Sequence, residues 1–102
     1  MAITKQEQKF LKGTAHHLKA IVQAGKEGMT DQFIVGVNDA LKSRELIKVK
    51  FLDNSELHPV EDGVVLAGKV GAELVGTIGS VVILYRYSEK AKTHVLDGMV
   101  QE

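Results

Sequence analysis

The segment Ser80-Val81-Val82-Ile83-Leu84-Tyr85-Arg86 constrains the fold more than any other stretch of this chain. Its unbroken, largely β-branched apolar run predicts a strand that lies centrally in a sheet. In Leu46-Ile47-Lys48-Val49-Lys50-Phe51-Leu52 the pattern alternates. Ile47, Val49 and Phe51 point to one side and both lysines to the other, which predicts a strand with one covered and one more polar face. Ala20-Ile21-Val22-Gln23-Ala24, stopped by Gly25, suits a buried strand.

Helical spacing fills the intervals. Thr4 with Glu7 three residues on is a capping-box signature, and Phe10, Leu11, Ala15 and Leu18 recur on one face, so a first helix is expected from about Lys5 to Lys19. Thr30 and Asp31 are good N-cap residues, and Ile34, Val37 and Leu41 mark the apolar face of a second helix ending near Arg44. Asn54 to Pro59 reads as a loop, with Pro59 just before or at the start of a third helix over about Glu61 to Val75. Gly63, Gly68 and Gly71 each cost that helix about 1 kcal/mol relative to alanine, so tertiary packing must hold it, with the glycines allowing close approach to the sheet. Gly76-Thr77-Ile78-Gly79 reads as a turn, and the polar segment from Ser88 is expected to add at most a short edge strand near Thr93–Leu96. The alternation implies a compact two-layer α/β sandwich, with a mixed sheet of three or four strands and about three helices. A length of 102 residues matches one domain. It is expected over residues 1–97, with 98–102 as a C-terminal tail.

Several classes of function fall away on composition. The chain has no cysteine, which removes disulfides and thiolate zinc sites. No apolar stretch approaches the roughly 20 residues that span a bilayer, and Met1 to Gln8 lacks the apolar core of a signal peptide, so a cytoplasmic protein without a membrane partner is expected. Thirteen Lys and Arg balance thirteen Asp and Glu, yet residues 1–50 hold nine bases and five acids, a balance of 9 − 5 = +4, and the second half must carry −4. Such asymmetry lets one surface attract phosphate while the whole molecule stays neutral, because screened fields reach only about 8–10 Å.

Two features carry candidate chemistry. On a helical wheel Lys5, Lys9, Lys12, His16 and Lys19 fall within an arc of about 80°, opposite Phe10, Leu11, Thr14 and Leu18. Such a stripe suits an acidic ligand with regular charge spacing, although an ordinary solvated lysine face has the same form. Gly25-Lys26-Glu27-Gly28 is a GxxG loop between a strand and the N-terminus of a helix. The glycines let the main chain come close to a phosphate, backbone N–H groups and the helix dipole favour the anion, and Lys26 supplies a mobile charge. Glu27 opposes this and must point away, and a plain glycine turn would also fit.

Other motifs do not hold. Gly63 to Val70 nearly matches the nucleotide-binding pattern GxxxxGK[ST], but Val70 stands where the magnesium-binding hydroxyl is needed. His16, His17, His58 and His94 show no metal-like pairing. No nucleophile elbow, triad signature or paired carboxylates appear, so neither cofactor nor catalysis is expected. The pattern buries most of the five aromatic residues, which argues against a stacking platform for bases.

The run Phe10-Leu11-Lys12-Gly13-Thr14-Ala15-His16-His17-Leu18-Lys19, followed by Val22-Gln23-Ala24-Gly25-Lys26-Glu27-Gly28, closely resembles the opening of YhbY-like CRM domains (chloroplast RNA splicing and ribosome maturation). Asp39-Ala40-Leu41, Arg44-Glu45-Leu46-Ile47-Lys48-Val49, and Ile78-Gly79 with Leu84-Tyr85-Arg86 resemble the family's later blocks in the right order, so the resemblance covers about residues 4 to 87. It implies a fold similar to the C-terminal domain of translation initiation factor three. It also implies RNA binding at Gly25, Lys26 and Gly28 and on the basic helix, with precursors of the large ribosomal subunit, hence structured ribosomal RNA, as the expected partner. The helix and loop are then expected to form one continuous surface on a monomer that takes no small-molecule substrate. The alternative from another class is a non-enzymatic protein-interaction adaptor that uses the charge asymmetry.

Overall fold

The computed structural model describes residues 3–99 of the chain. Among them are three α-helices, α1 (Lys5–Ala15), α2 (Asp31–Arg44) and α3 (Pro59–Val70), and four strands, β1 (Ala20–Ala24), β2 (Leu46–Phe51), β3 (Glu73–Ile78) and β4 (Val81–Tyr85). Short 3₁₀ turns lie at Asp53–Ser55 and Val95–Gly98. The sheet order is β1-β2-β4-β3. β1 and β2 are parallel, and β2–β4 and β4–β3 are antiparallel, so the sheet is mixed. The expected compact α/β architecture is the one observed, with helices on both faces of the sheet, so that it has three layers where two were expected. The domain boundary drawn at residue 97 falls inside the Val95–Gly98 turn, and most of the tail, like Met1 and Ala2, lies outside the described residues.

Helices cover both faces of the sheet. On one, Phe33, Val37 and Leu41 of α2 and Leu66 and Val70 of α3 pack on Ile47, Val49, Phe51, Val82 and Leu84. On the other, Leu11 and Ala15 of α1 meet Leu46, Val75, Ile83 and Tyr85. β4 is buried on both sides, as its apolar run demands. Arg86, just past β4, fastens the first layer. Its guanidinium donates to the side chain and carbonyl of Asn38 in α2, at 2.8 and 3.2 Å, and to the carbonyl of Val70 at the end of α3, at 2.7 Å.

Five expectations about the elements are corrected. α1 stops at Ala15 instead of Lys19, because the amides of His16, His17 and Leu18 turn back to carbonyls three residues earlier and redirect the chain into β1. β1 is an edge strand rather than a buried one, and Ile21 and Gln23 on its α1 side are exposed. The third helix begins at Pro59 and ends at Val70, where Gly71 takes the left-handed conformation, φ 64°. The chain then enters β3, so Gly76, Thr77 and Ile78 are strand and the turn shrinks to Gly79-Ser80, with Gly79 at φ 57°. β3 takes the sheet edge expected of Thr93–Leu96, a region that instead leads into the Val95–Gly98 turn.

Candidate functional site

The glycine loop is a tight turn. The amide of Gly28 donates to the carbonyl of Gly25 at 2.9 Å, that of Thr30 donates to the carbonyl of Gly28 at 3.1 Å, and Gly28 sits at φ 71°. A side chain there would be strained but would meet nothing within 4 Å, so the outer face of the turn is open. Thr30 caps α2 by accepting the amide of Phe33 at 3.1 Å, which fixes the helix N-terminus directly behind the turn. A shallow depression of about 370 Å³ lies against the turn, lined by Gln23, Lys26, Glu27 and Phe33 as well as the glycines and Thr30. Lys26 and Glu27 are both exposed, and Asp31 occupies the first turn of α2. Glu27 therefore stays on the rim of the depression, and the cation of Lys26 has two carboxylates for neighbours in the chain.

The basic residues are spread along the molecule. Lys5 and Lys9 are exposed on α1. The stem of Lys12 crosses β3 so closely that a Cβ added to Gly76 would lie 2.9 Å from its Cε. Glycine at this position, where the β3–β4 register shifts, leaves that path open. His16 is exposed at the C-cap of α1, and Lys19 is exposed in the link to β1. Gly25 lies six residues beyond Lys19, about 20 Å along an extended chain. Helix and turn thus stand at opposite ends of β1 instead of abutting.

The sheet joins them. Since Ile47, Val49 and Phe51 face α2 and α3, Lys48 and Lys50 of β2 face the α1 side, which α1 only partly covers. The ammonium of Lys48 donates to the carbonyl of Leu18 at 3.0 Å, holding the end of the α1–β1 link on the sheet. Lys50 is exposed and pairs across the ladder with Gln23, one of the residues lining the turn's depression. Neither lysine was among the residues expected at the site, although their alternation with Ile47, Val49 and Phe51 already placed both on the polar face.

A buried acid organises the opposite end. Glu45, between α2 and β2, has no exposure and φ 66°. Its carboxylate accepts the amides of Ser88 and Val95, at 2.8 and 2.9 Å, and lies 2.8 Å from Nδ1 of His94, whose ring stacks on exposed Tyr87 at 4.8 Å. Burial alone pushes this carboxyl up, but the hydrogen bonds from Ser88, His94 and Val95 outweigh it and hold the group below its ordinary value. Among the described residues no three His, Cys, Asp or Glu side chains gather into a metal-ligand set.

A mixed four-stranded sheet with a glycine-bracketed turn between its edge strand and a capped helix defines a small α/β domain. The chain belongs to the CRS1/YhbY (CRM) domain family, whose model matches residues 3–86. It is 43% identical over 91 residues to a protein of Haemophilus influenzae named RNA-binding protein, spanning 87% of this chain and 89% of that one. It is 39% identical over 90 residues to YqeI of Bacillus subtilis, named a probable RNA-binding protein, spanning 88% and 94%. The solution structure of a hypothetical protein from Staphylococcus aureus superposes with a TM-score of 0.68 at 33% identity, covering 86% of this chain and 92% of that one.

Proposed function

We propose that this protein binds structured RNA, specifically the ribosomal RNA of large-subunit precursors, through the Gly25–Gly28 turn and the basic surface that leads from it. It acts by binding and not by catalysis, as a cytoplasmic monomer. The observation that carries the reading is the open turn itself: Gly28 has room outside it for a phosphate, the amino end of α2 lies behind it, and Lys26 stands on its rim. The names of the bacterial relatives support RNA as the ligand.

In this mechanism Gly25 and Gly28 admit the RNA backbone to van der Waals distance and Lys26 neutralises a phosphate. Lys50 continues the contact across the open sheet face toward Lys19, His16 and the α1 residues Lys5, Lys9 and Lys12. Each neutralised phosphate releases condensed counterions, so affinity falls as salt rises. Glu27 and Asp31 keep the turn's own contribution modest, and binding depends on several weak cationic contacts acting together. The test is RNA affinity of Lys26→Glu and Gly28→Asp, with circular dichroism confirming the fold. Each is expected to bind about tenfold more weakly, the loss of roughly one charged contact worth about 1.4 kcal/mol. A folded Gly28→Asp protein with wild-type affinity would remove the clamp.

A further inference from the structure

At the end of the molecule away from the glycine turn, the C-terminal ends of α1 and α2 meet the segment that follows β4. Two grooves open there, of about 830 and 700 Å³, and they share Thr14 and His17 as walls, so they form one continuous track. Its cationic lining is Lys9, Lys19, Arg44, Lys90 and Lys92, and no Asp or Glu is among the lining residues of either groove. Glu89 adjoins Lys90 in the chain but lines neither groove, whereas Glu27 lines the depression at the glycine turn. Lys90 and Lys92 come from the half of the sequence whose balance is acidic, and the fold returns them to the basic half.

Their placement is built. Ala91 between them is buried, the amide of Ser88 is bound by the carboxylate of Glu45, and the hydroxyl of Ser88 donates to the carbonyl of Lys42. The amide of Lys90 donates to the Ser88 hydroxyl at 3.3 Å, and Val95, at the far end of the segment, is tied to Glu45. Both lysines are therefore presented outward from an anchored segment. A helix C-terminus favours a nearby cation, which accounts for Arg44 at the end of α2 but not for Lys90 and Lys92, which belong to no helix. The half-charges of two helix ends are smaller than the four formal charges of Lys19, Arg44, Lys90 and Lys92.

We propose that this track is a second binding site, one that takes a single RNA strand by its phosphodiester backbone. The inference rests on the RNA-binding reading above and shares Lys9 and Lys19 with its basic surface, but it uses none of the turn's residues and adds Arg44, Lys90 and Lys92. The track is long, its rim is cationic, and its floor is partly apolar, with Ile21 exposed in one groove and the ring of Phe10 lining the other. That combination holds phosphates at the edge and lets base rings rest on the floor without selecting a sequence. RNA bound at both sites spans the length of β1, so a strand passing from turn to track is held at two separated points.

The test uses the full chain and a fluorescein-labelled single-stranded RNA of about 20 nucleotides, read by fluorescence anisotropy over a range of salt concentrations. Wild type is compared with Lys26→Glu, with Lys90→Glu/Lys92→Glu, and with the milder Lys90→Gln/Lys92→Gln. The glutamate pair is expected to bind about tenfold more weakly at 0.1 M-scale salt, and the slope of log affinity against log salt should flatten by about 1.4, since each phosphate contact contributes about 0.7 on single strands. The glutamine pair should fall between it and wild type. Loss in the lysine-pair variants with Lys26→Glu unaffected would support the track while removing the turn. Loss in Lys26→Glu alone, with affinity and slope kept in both lysine-pair variants, would overturn the track and leave the turn standing. A glutamate-rich peptide of equal charge displacing the RNA as effectively as unlabelled RNA does would overturn RNA as the track's ligand, and absence of RNA binding by wild type would overturn both sites.

Discussion

Glu45 decides where the chain goes after its last strand. Its main-chain carbonyl accepts the amide of Arg86 at 2.8 Å, and its carboxylate gathers Ser88, His94 and Val95, so one buried acid fixes both ends of the segment that carries Lys90 and Lys92. Because the folded-state pKa lies below the ordinary 4.5, the unfolded chain binds the proton more readily. The carboxylate's contribution to stability is therefore complete above about pH 4.5 and is lost as pH falls through the lower, folded value. Denaturant unfolding followed across this acid range should show wild type losing stability as pH falls, whereas Glu45→Gln should be less stable at pH 7, by about 1–3 kcal/mol, and show a flatter acid limb. Parallel curves for the two proteins would mean that the carboxylate's charge is not what holds the segment. Nothing in the apolar spacing of Arg44-Glu45-Leu46 reveals this role, since a glutamate at the end of a helix is usually solvated and the three groups that satisfy this one lie over 40 residues away.

At the scale of elements, α3 shows how one residue type serves different ends. The position of a Cβ on Gly63 lies 3.3 Å from Val82 and 3.4 Å from Leu74, so glycine here lets the helix sit close on the sheet. Gly68 is exposed with nothing within 4 Å, and Gly71 ends the helix at positive φ. Gly68→Ala should therefore stabilise the protein by about 0.5–1 kcal/mol through helix propensity, while Gly63→Val should destabilise it by about 1–3 kcal/mol through overpacking. Thermal unfolding of both variants checks the pair, and shifts of the same sign would refute the assignment. The expected close approach thus belongs to Gly63 alone. α2, β2 and β4 are readable from their apolar periods, and the positions of Pro59 and the Thr4 and Thr30 caps are readable from residue chemistry. β3 is hidden because Gly71, Gly76 and Gly79 look like loop punctuation, and its pairing with β4 is a tertiary fact that no local period contains. At the site, the glycine turn is legible as a motif between a strand and a helix. Lys48 and Lys50 are legible as the polar face of their strand, but their approach to the α1–β1 link and to Gln23, like the places of Lys90 and Lys92, is set only when the sheet and the final segment are assembled.

The whole molecule carries no net charge, so attraction to RNA has to arise from the arrangement of its charges. The turn at one end of β1, the lysines of the open sheet face and the track at the other end form a discontinuous cationic surface, and each part supplies only a few phosphate contacts. An assembly of this kind binds most tightly when several parts engage one large, folded RNA, and it lets go when salt replaces a few counterions. Tagged protein sedimented from lysate through sucrose is accordingly expected to travel with precursors of the large ribosomal subunit at low salt and to shift to the top of the gradient at high salt. Lys26→Glu should shift at a lower salt concentration than wild type, and combining it with Lys90→Glu/Lys92→Glu should abolish co-migration at any salt, because sites a strand's length apart lose affinity nearly additively. Wild type remaining at the top of every gradient would speak against the ribosomal partner and favour a protein-interaction adaptor. Co-migration that survived all three substitutions would place the contact on α1 and the open sheet face, with Lys5, Lys9 and Lys50 the next residues to reverse.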